Sequence, residues 1–206
     1  MIRRVGERGL LVETGELALS HRLDARLRAE PPAGVVEIVP GPETVLVVSE
    51  AADLAPLRAH LAGLLAAAEA EPEAAGADGS GEVLVIPVVY DGEDLPRVAA
   101  ETGLSTDEVI ARHTGSDLVV GWLGFAPGFA YLTGLDPRLH LPRLATPRTG
   151  VPAGSVAVAG PYSAVYPTAS PGGWRLLGRT ATTVWDVRAD PPTRFRPGLR
   201  VRFEAA

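Results

Sequence analysis

The stretch GWLGFAPGFAYLTGLDPRLHLPRLATPRTGVPAGSVAVAGPYSAVYPTASPGGWRLLGRT, residues 121–180, decides how this chain is interpreted. Its many Gly and Pro residues alone would be typical of a disordered segment. Such segments lack aromatic and β-branched residues, because they cannot bury enough apolar surface to offset the entropy lost on ordering. This stretch holds seven of the eleven aromatic residues of the chain: Trp122, Phe125, Phe129, Tyr131, Tyr162, Tyr166 and Trp174. We therefore predict an ordered recognition surface, built on turns that hold aromatic rings at fixed points.

The chain beyond residue 121 also contains short β-type runs separated by turn residues. We predict strands over residues 155–159, 164–166, 174–177, 182–187 and 199–203. Short strands at such close spacing are typical of a barrel or a sandwich.

The first part of the chain predicts a compact α/β unit. Leu19, Leu23 and Leu27 are spaced four apart, as on one face of a helix. In order, we predict a strand over 9–13, a helix over 20–28, a hairpin of strands over 35–39 and 44–49, a helix over 52–68 and a strand over 83–90. The order β-α-β-β-α-β is that of the ferredoxin-like arrangement.

A linker separates the two parts. Residues 69–82, EAEPEAAGADGSGE, are acidic, rich in small residues and without periodicity, which indicates a loop. We therefore divide this α+β chain into a ferredoxin-like N-terminal α/β domain, residues 1–81, and a second domain, residues 82–206, whose strands form a barrel or a sandwich. Two short helices open the second domain. Asp94 is placed to cap the first, and STDE at 105–108 is a capping box for the second, which ends near His113.

Composition excludes several classes of function. The formal net charge of −6 argues against a nucleic-acid partner, which requires an excess of basic residues. No apolar run is long enough to span a membrane. The absence of cysteine excludes disulfides, thiolate nucleophiles and zinc–cysteine sites. These features predict a cytoplasmic protein with no membrane partner.

The chain also contains no Lys, no Asn and no Gln. A Schiff-base lysine and a P-loop lysine are therefore excluded. Polar recognition must use backbone N–H groups, arginines, hydroxyls, carboxylates, tyrosines, tryptophans and the four histidines. Those histidines, at 21, 60, 113 and 140, form no close ligand pair, so no metal site is expected.

Three features are candidates for chemistry, each beside a structural alternative. His113 ends a capped helix, and the helix dipole there favours the imidazolium form. The side chain then either donates a proton or a charged hydrogen bond in catalysis, or only interacts with the dipole and has no catalytic role. Arg143 and Arg148 flank a loop. They either bind a carboxylate or phosphate through two hydrogen bonds or pair with surface carboxylates. SPGGW at 170–174 either exposes backbone N–H groups to an anion, with Trp174 as an apolar wall, or is a tight turn whose indole belongs to the core.

The motifs of this region resemble one family. They are GFAPGFAYL at 124–132, TPR at 146–148, VPAGSV at 151–156, VYP at 165–167, SPGGW at 170–174 and GRT at 178–180. The family is that of the B subunit of 5-oxoprolinase, also called allophanate hydrolase subunit 1, with the sensor-kinase inhibitor KipI as a relative. The same segment is similar to half of the carboxyltransferase-like region of urea carboxylase.

The resemblance implies a cyclophilin-like β-barrel in the second domain and a complex with subunits A and C. That complex couples ATP hydrolysis to the opening of the 5-oxoproline ring, giving glutamate, and ATP is then expected on a partner or shared with one. Our hypothesis for the site makes His113 and Arg148 catalytic, as donors to developing negative charge. We expect the lactam or ureide substrate to contact residues of the motifs: Phe125, Pro127, Gly128, Phe129, Tyr131, Ser155, Tyr166, Gly172, Gly173 and Trp174.

One departure from the family pattern leaves the substrate open. Many oxoprolinase-type members carry a GGQTG run where this chain has GPYSA at 160–164, so Tyr162 stands in place of the glutamine. That change resembles the urea-carboxylase side of the family. Besides a 5-oxoprolinase subunit, the sequence therefore leaves two alternatives: a KipI-like regulator of a histidine kinase and a urea-carboxylase-like carboxyltransferase half.

Overall fold

The computed structural model describes residues 1–71 and 81–206 of the chain. The chain forms two compact units, Met1–Gly76 and Ala77–Ala206. Most of the predicted linker, residues 72–80, lies outside the described residues, and the exact boundary at 81/82 stays a prediction.

The first unit is a four-stranded antiparallel sheet with two helices. Its elements are β1 (Ile2–Val5), β2 (Gly9–Glu13), α1 (Leu17–Ala29), β3 (Val35–Pro40), β4 (Thr44–Ser49) and α2 (Ala55–Glu69). The strand order is β1-β2-β4-β3. Helix α1 contacts α2, β3 and β4. The core between them is wholly aliphatic and includes Leu10, Leu23, Leu27, Val45, Val47 and Leu61.

The predicted element order of this unit is wrong at both ends. Strand β1 was not predicted, because only Ile2 of IRRV is buried and an edge strand with three exposed residues has no apolar alternation. The strand predicted at 83–90 forms, as β5 (Val83–Val88), but it pairs in parallel with the last strand of the second unit. The unit therefore reads β-β-α-β-β-α, and the ferredoxin-like assignment is not confirmed.

The second unit is built around a seven-stranded, nearly closed sheet. After β5 its elements are α3 (Leu95–Thr102), α4 (Thr106–Thr114), β6 (Leu118–Leu123), β7 (Ala130–Thr133), a 3-10 turn (Pro137–Leu139), β8 (Arg148–Val151), β9 (Ser155–Ala159), β10 (Tyr162–Val165), β11 (Ser170–Gly172), β12 (Arg175–Arg179) and β13 (Arg200–Ala205). The strand order is β12-β9-β10-β7-β6-β13-β5. The two ends of this order approach each other where Val89 and Arg179 exchange backbone hydrogen bonds of 2.9 Å. Strands β8 and β11 form a separate pair.

The interior of this barrel is aliphatic apart from Phe195 and Phe203. Helix α3 contacts β12, and α4 contacts β13. The predicted capping box of α4 is confirmed: the Ser105 hydroxyl accepts from the Glu108 N–H, and the Glu108 carboxylate accepts from the Ser105 N–H.

Four of the five strands predicted beyond residue 121 are present in the second unit. The strand at 155–159 is confirmed, and those at 164–166, 174–177 and 199–203 are present with shifted ends. The strand predicted at 182–187 is wrong. There the Asp186 carboxylate accepts from the Arg188 N–H at 3.0 Å, and the Asp186 N–H donates to the Pro192 carbonyl at 2.9 Å, so turns replace ladder bonds.

Candidate functional site

Seven aromatic rings on the second unit form one continuous contact network, which we call the aromatic cluster. It consists of the residues that the sequence singled out: Trp122, Phe125, Phe129, Tyr131, Tyr162, Tyr166 and Trp174. The rings come from β6, β7 and β10 and from the turns that follow β6, β10 and β11. The predicted order of this Gly- and Pro-rich stretch thus has a physical basis in ring packing.

Phe129 is the centre of the aromatic cluster. Its ring is 1% exposed and makes edge-to-face contacts, with centroids 5.2–5.5 Å apart, to the rings of Phe125, Tyr131, Tyr166 and Trp174. These are preferred geometries for aromatic pairs, because the positive edge of one ring faces the negative face of the next.

Exposure increases outward from that centre. Tyr166 and Trp174 are buried, whereas Tyr131 is half-buried and stacks on Trp122 at 4.6 Å. Phe125 is 64% exposed. A graded surface of this kind lets a ligand contact ring faces while the buried rings fix their positions.

The turn between β6 and β7 presents Phe125. It is closed by hydrogen bonds from the Gly124 N–H to the Phe129 carbonyl and from the Phe129 N–H to the Ala126 carbonyl, both 3.0 Å. Phe125 has a φ of +70°, in the left-handed region that non-glycine residues rarely adopt. Such strain is typical of sites whose surroundings fix the backbone for a function. Gly128 is required here because a Cβ atom would lie 2.6 Å from the Cβ of Trp185.

The SPGGW turn packs directly against Tyr166. A Cβ atom on Gly172 would lie 2.3 Å from the Tyr166 hydroxyl oxygen, so only glycine fits. Burial raises the pKa of Tyr166, and a backbone hydrogen bond from Trp174 and the charges of Arg143 and Arg148 oppose that rise. The phenol is therefore neutral at physiological pH, and it is buried against the turn.

Arg148 is engaged by carboxylates of the same unit. Its Nη2 lies 2.8 Å from both oxygens of Asp94, and its Nε donates to Glu93. Burial alone would lower the pKa of Arg148, but the two carboxylates raise it above its usual value. Because its fork is occupied, the geometry favours the structural alternative for Arg148 over the anion site.

Asp94 does not cap α3 as predicted. Its carboxylate accepts from the Leu176 N–H at 2.7 Å, in addition to Arg148, and makes no cap hydrogen bond to the helix. Asp94 therefore joins the start of α3 to β8 and β12.

His113 lies inside the unit, fully buried. The Tyr90 hydroxyl is 2.7 Å from Nδ1, the Ser163 hydroxyl is 2.8 Å from Nε2, and the Phe203 ring stacks on the imidazole at 4.7 Å. Ser163 donates to the Ala157 carbonyl, so it accepts from a protonated Nε2, and Nδ1 accepts from Tyr90.

This environment opposes the imidazolium that the helix terminus favours. Burial lowers the pKa of His113 to about 3, so the ring is neutral at physiological pH. The expectation of a charged donor is therefore wrong: desolvation outweighs the dipole. Burial also raises the pKa of Tyr90, which keeps that partner protonated.

The structure brings together part of the predicted site. Phe125, Phe129, Tyr131, Tyr166 and Trp174 share the aromatic cluster, and Gly172 packs on it. Pro127 is exposed in the β6–β7 turn with Gly128 beside it, and Gly173 is buried next to Leu144. Ser155 is buried on β9, where its carbonyl accepts from the Tyr166 N–H.

Sequence reasoning missed other members of the site. Tyr90 and Ser163, which hold His113, were not predicted, and Trp122 and Tyr162 were predicted for the recognition surface but not as substrate contacts. Their aromatic or hydroxyl character was visible, but the partners of His113 are 23 and 50 residues away from it, a separation that no local pattern reports.

In residues 1–71 and 81–206, no three His, Asp or Glu side chains lie together as metal ligands. No helix in these two ranges is long and apolar enough to cross a membrane.

Comparisons with known proteins agree on one kind of domain. The family model described as the carboxyltransferase domain, subdomain C and D, matches residues 1–195. The chain is 43% identical to the B subunit of 5-oxoprolinase from Escherichia coli O157:H7 over 188 residues, which are 88% of this chain and 82% of that protein.

Two solved structures are similar. The crystal structure of TTHA0988 has a TM-score of 0.81 and 38% identity, covering 100% of this chain, which spans 40% of the length of TTHA0988. Urea carboxylase of Kluyveromyces lactis has a TM-score of 0.73 and 21% identity, covering 100% of this chain and 21% of that chain, and this likeness concerns the fold alone.

Proposed function

The chain belongs to the carboxyltransferase-domain family, subdomains C and D, and from this premise we propose that it is the B subunit of a 5-oxoprolinase complex. The observation that carries the proposal is the 43% identity to a protein named as that subunit, over 82% of that protein's length. We also propose that the second unit is a cyclophilin-like barrel, as in that family.

The proposed reaction is the ATP-dependent hydrolysis of 5-oxoproline to glutamate. A lactam is stabilised by resonance, so transfer of the terminal phosphoryl group of ATP to the amide oxygen makes the carbonyl carbon reactive. ADP leaves, water adds to that carbon, and the C–N bond breaks as the ring nitrogen takes up a proton, which gives an acyl phosphate. A second water hydrolyses the acyl phosphate to glutamate and inorganic phosphate. We propose that subunits A and C belong to the same cytoplasmic complex. ATP then binds to a partner or at a shared site, because this chain has no P-loop lysine.

The aromatic cluster supports a substrate-binding role for this chain. We place the amide ring of 5-oxoproline on the half-exposed rings of Trp122, Tyr131 and Tyr162. Phe125 is exposed beside them, and its position is set by its turn. The Gly172 and Gly173 backbone supplies hydrogen-bond groups beside these rings.

His113 and Arg148 fit positioning roles better than catalytic ones. His113 ties α4 to β10 through Ser163. Arg148 ties β8, and with it the SPGGW turn of β11, to Asp94 at the start of α3. Each would act on the substrate only through the groups that it holds in place.

The test is turnover by the assembled complex. This chain is co-purified with subunits A and C, and ATP hydrolysis and glutamate release are measured with and without 5-oxoproline. We expect 5-oxoproline to stimulate ATP hydrolysis with one glutamate formed per coupled turnover, and each subunit alone to be inactive. A stable complex that releases no glutamate would overturn the proposal. Inhibition of a histidine kinase, or carboxyl transfer from a biotinylated partner, would then identify the alternative.

A further inference from the structure

We propose that Arg143 anchors the carboxylate of the substrate at the edge of the aromatic cluster. The residue type and its surroundings indicate a carboxylate site, and the identity of the ligand, 5-oxoproline, rests on the proposed function.

The guanidinium of Arg143 is held against the aromatic cluster. Its Cζ atom lies 5.9 Å from the ring centroid of Trp174, a cation–π distance, while the side chain remains exposed. A cation–π contact occupies none of the guanidinium N–H donors with a hydrogen bond. An arginine in this state is oriented and still able to form a two-pronged hydrogen bond with a carboxylate.

Arg143 keeps its charge free where neighbouring arginines do not. Around the same turns, Arg148 pairs with Asp94, Arg175 with Glu101 and Arg179 with Asp91. For Arg143, the part of the chain that the structure describes offers neither an ion pair nor a side-chain hydrogen bond. The neighbouring carboxylates are thus already neutralised, and this one guanidinium at the cluster has capacity for an external anion.

The backbone on both sides of Arg143 is fixed. The Pro142 carbonyl accepts from Arg175 Nε at 3.1 Å, and the Leu144 N–H donates to the Gly173 carbonyl at 2.7 Å. Arg175 is itself buried and paired with Glu101. These contacts place Arg143 beside the SPGGW turn before any ligand arrives, which reduces the entropy lost on binding.

The geometry suits a small ring that carries a carboxylate. Arg143 lies over the ring of Trp174, and Gly172 of the same turn packs on the Tyr166 hydroxyl, so the guanidinium and the phenol flank the SPGGW turn. A ring lying on the aromatic faces would direct its carboxylate to Arg143 and its amide toward the SPGGW turn. 5-Oxoproline has both groups, whereas 2-pyrrolidone has the ring and the amide without the carboxylate.

The experiment compares these two ligands on the assembled complex. Wild type, Arg143→Ala, Arg143→Lys and the control Arg8→Ala are assayed for glutamate release, for the KM of ATP and, by calorimetry, for binding of 5-oxoproline and 2-pyrrolidone. Arg8 is an exposed arginine of the first unit, so its replacement makes the same change in net charge outside the unit that carries the aromatic cluster. Co-elution of the subunits checks assembly.

We expect Arg143→Ala to raise the KM for 5-oxoproline about 10- to 100-fold, because a hydrogen-bonded charge pair is lost. The KM for ATP and the affinity for 2-pyrrolidone stay unchanged, Arg143→Lys restores part of the loss, and Arg8→Ala behaves as wild type. An unchanged KM for 5-oxoproline would overturn the proposal. An increase confined to ATP would assign Arg143 to a phosphate, and loss of co-elution would assign it to a partner's carboxylate; either result also overturns it.

The binding data separate this proposal from the proposed function. If the wild-type complex binds 5-oxoproline without releasing glutamate, the proposed enzymatic function is wrong. Loss of that binding in Arg143→Ala would still support Arg143 as the carboxylate anchor. A wild-type complex that does not bind 5-oxoproline at millimolar concentration overturns the anchor as well.

Discussion

The first unit contains no aromatic residue, whereas the second contains all eleven. The core of the first unit is made of Leu, Val and Ile, which bury area without preferred directions. The second unit has an aliphatic interior of the same kind and, separate from it, the aromatic cluster with its graded exposure. The side chains of the first unit therefore serve packing alone. The aromatic side chains of the second unit also present oriented ring faces and polar ends, which can recognise a ligand.

The largest expected effect comes from removing the centre of the aromatic cluster. Phe129→Ala should lower the free energy of unfolding by about 3–5 kcal/mol, because a fully buried ring leaves a cavity. Denaturation followed by tryptophan fluorescence checks this, since all three tryptophans lie in the second unit. Phe125→Ala, which removes a ring that is 64% exposed, should cost less than about 1 kcal/mol.

Leu61→Ala provides the matched change in the first unit. Leu61 is 0% exposed, and its truncation should cost about 2–5 kcal/mol, measured by far-ultraviolet circular dichroism. If Phe129→Ala cost no more than Phe125→Ala, the aromatic cluster would not be a packed core, and the comparison between the units would break down.

A smaller effect should follow from filling the space beside Tyr166. Gly172→Ala places a Cβ atom 2.3 Å from the Tyr166 hydroxyl oxygen and should cost about 1–3 kcal/mol through displacement of the ring. Gly150→Ala is the control, because a Cβ atom there meets no atom within 4 Å. Equal stability of the two variants, measured by urea denaturation, would show that the SPGGW turn does not rest on the ring.

The smallest expected effect, measured over one pH unit, is a pH dependence of stability that arises from His113. The unfolded histidine takes up a proton near pH 6.5, whereas burial lowers the folded pKa to about 3. The unfolded state therefore binds more protons in this window, so stability is full above pH 6.5 and falls as the pH decreases toward 3. The expected slope is about 1.4 kcal/mol per pH unit.

His113→Gln isolates this contribution. A glutamine can still exchange hydrogen bonds with Tyr90 and Ser163, but it does not titrate. Urea denaturation between pH 6.5 and 5 should show a shallower loss of stability in the variant than in wild type. Parallel curves for the two proteins would contradict a neutral, buried His113.

Predictability from sequence differs between the two units for a physical reason. The helices and three of the four strands of the first unit were predicted, because aliphatic periodicity reports directly on a buried face. The edge strand β1 was not, since its exposed arginines show no such period.

In the second unit, composition predicted which residues matter but not how they are arranged. The seven aromatics were identified, yet the strands β6 and β7, which carry Trp122 and Tyr131, were not predicted. The pairing of Arg148 with Asp94 and the burial of His113 depend on contacts between residues 54 and 50 positions apart. That Arg143 has no ion pair also depends on long-range pairing, because the nearby carboxylates are paired with Arg148, Arg175 and Arg179.

Strand β13 lies between β5 and β6, and this placement constrains the order in which the barrel can be made. During translation β5 and β6 leave the ribosome long before residues 200–205, and neither can pair with the other in their final positions. At ordinary rates of synthesis the gap lasts on the order of ten seconds, while the first unit already has all of its strands. Newly made chains should therefore spend that interval with one unit folded and open strand edges in the other, the condition in which chaperones bind nascent proteins and in which premature release leads to aggregation.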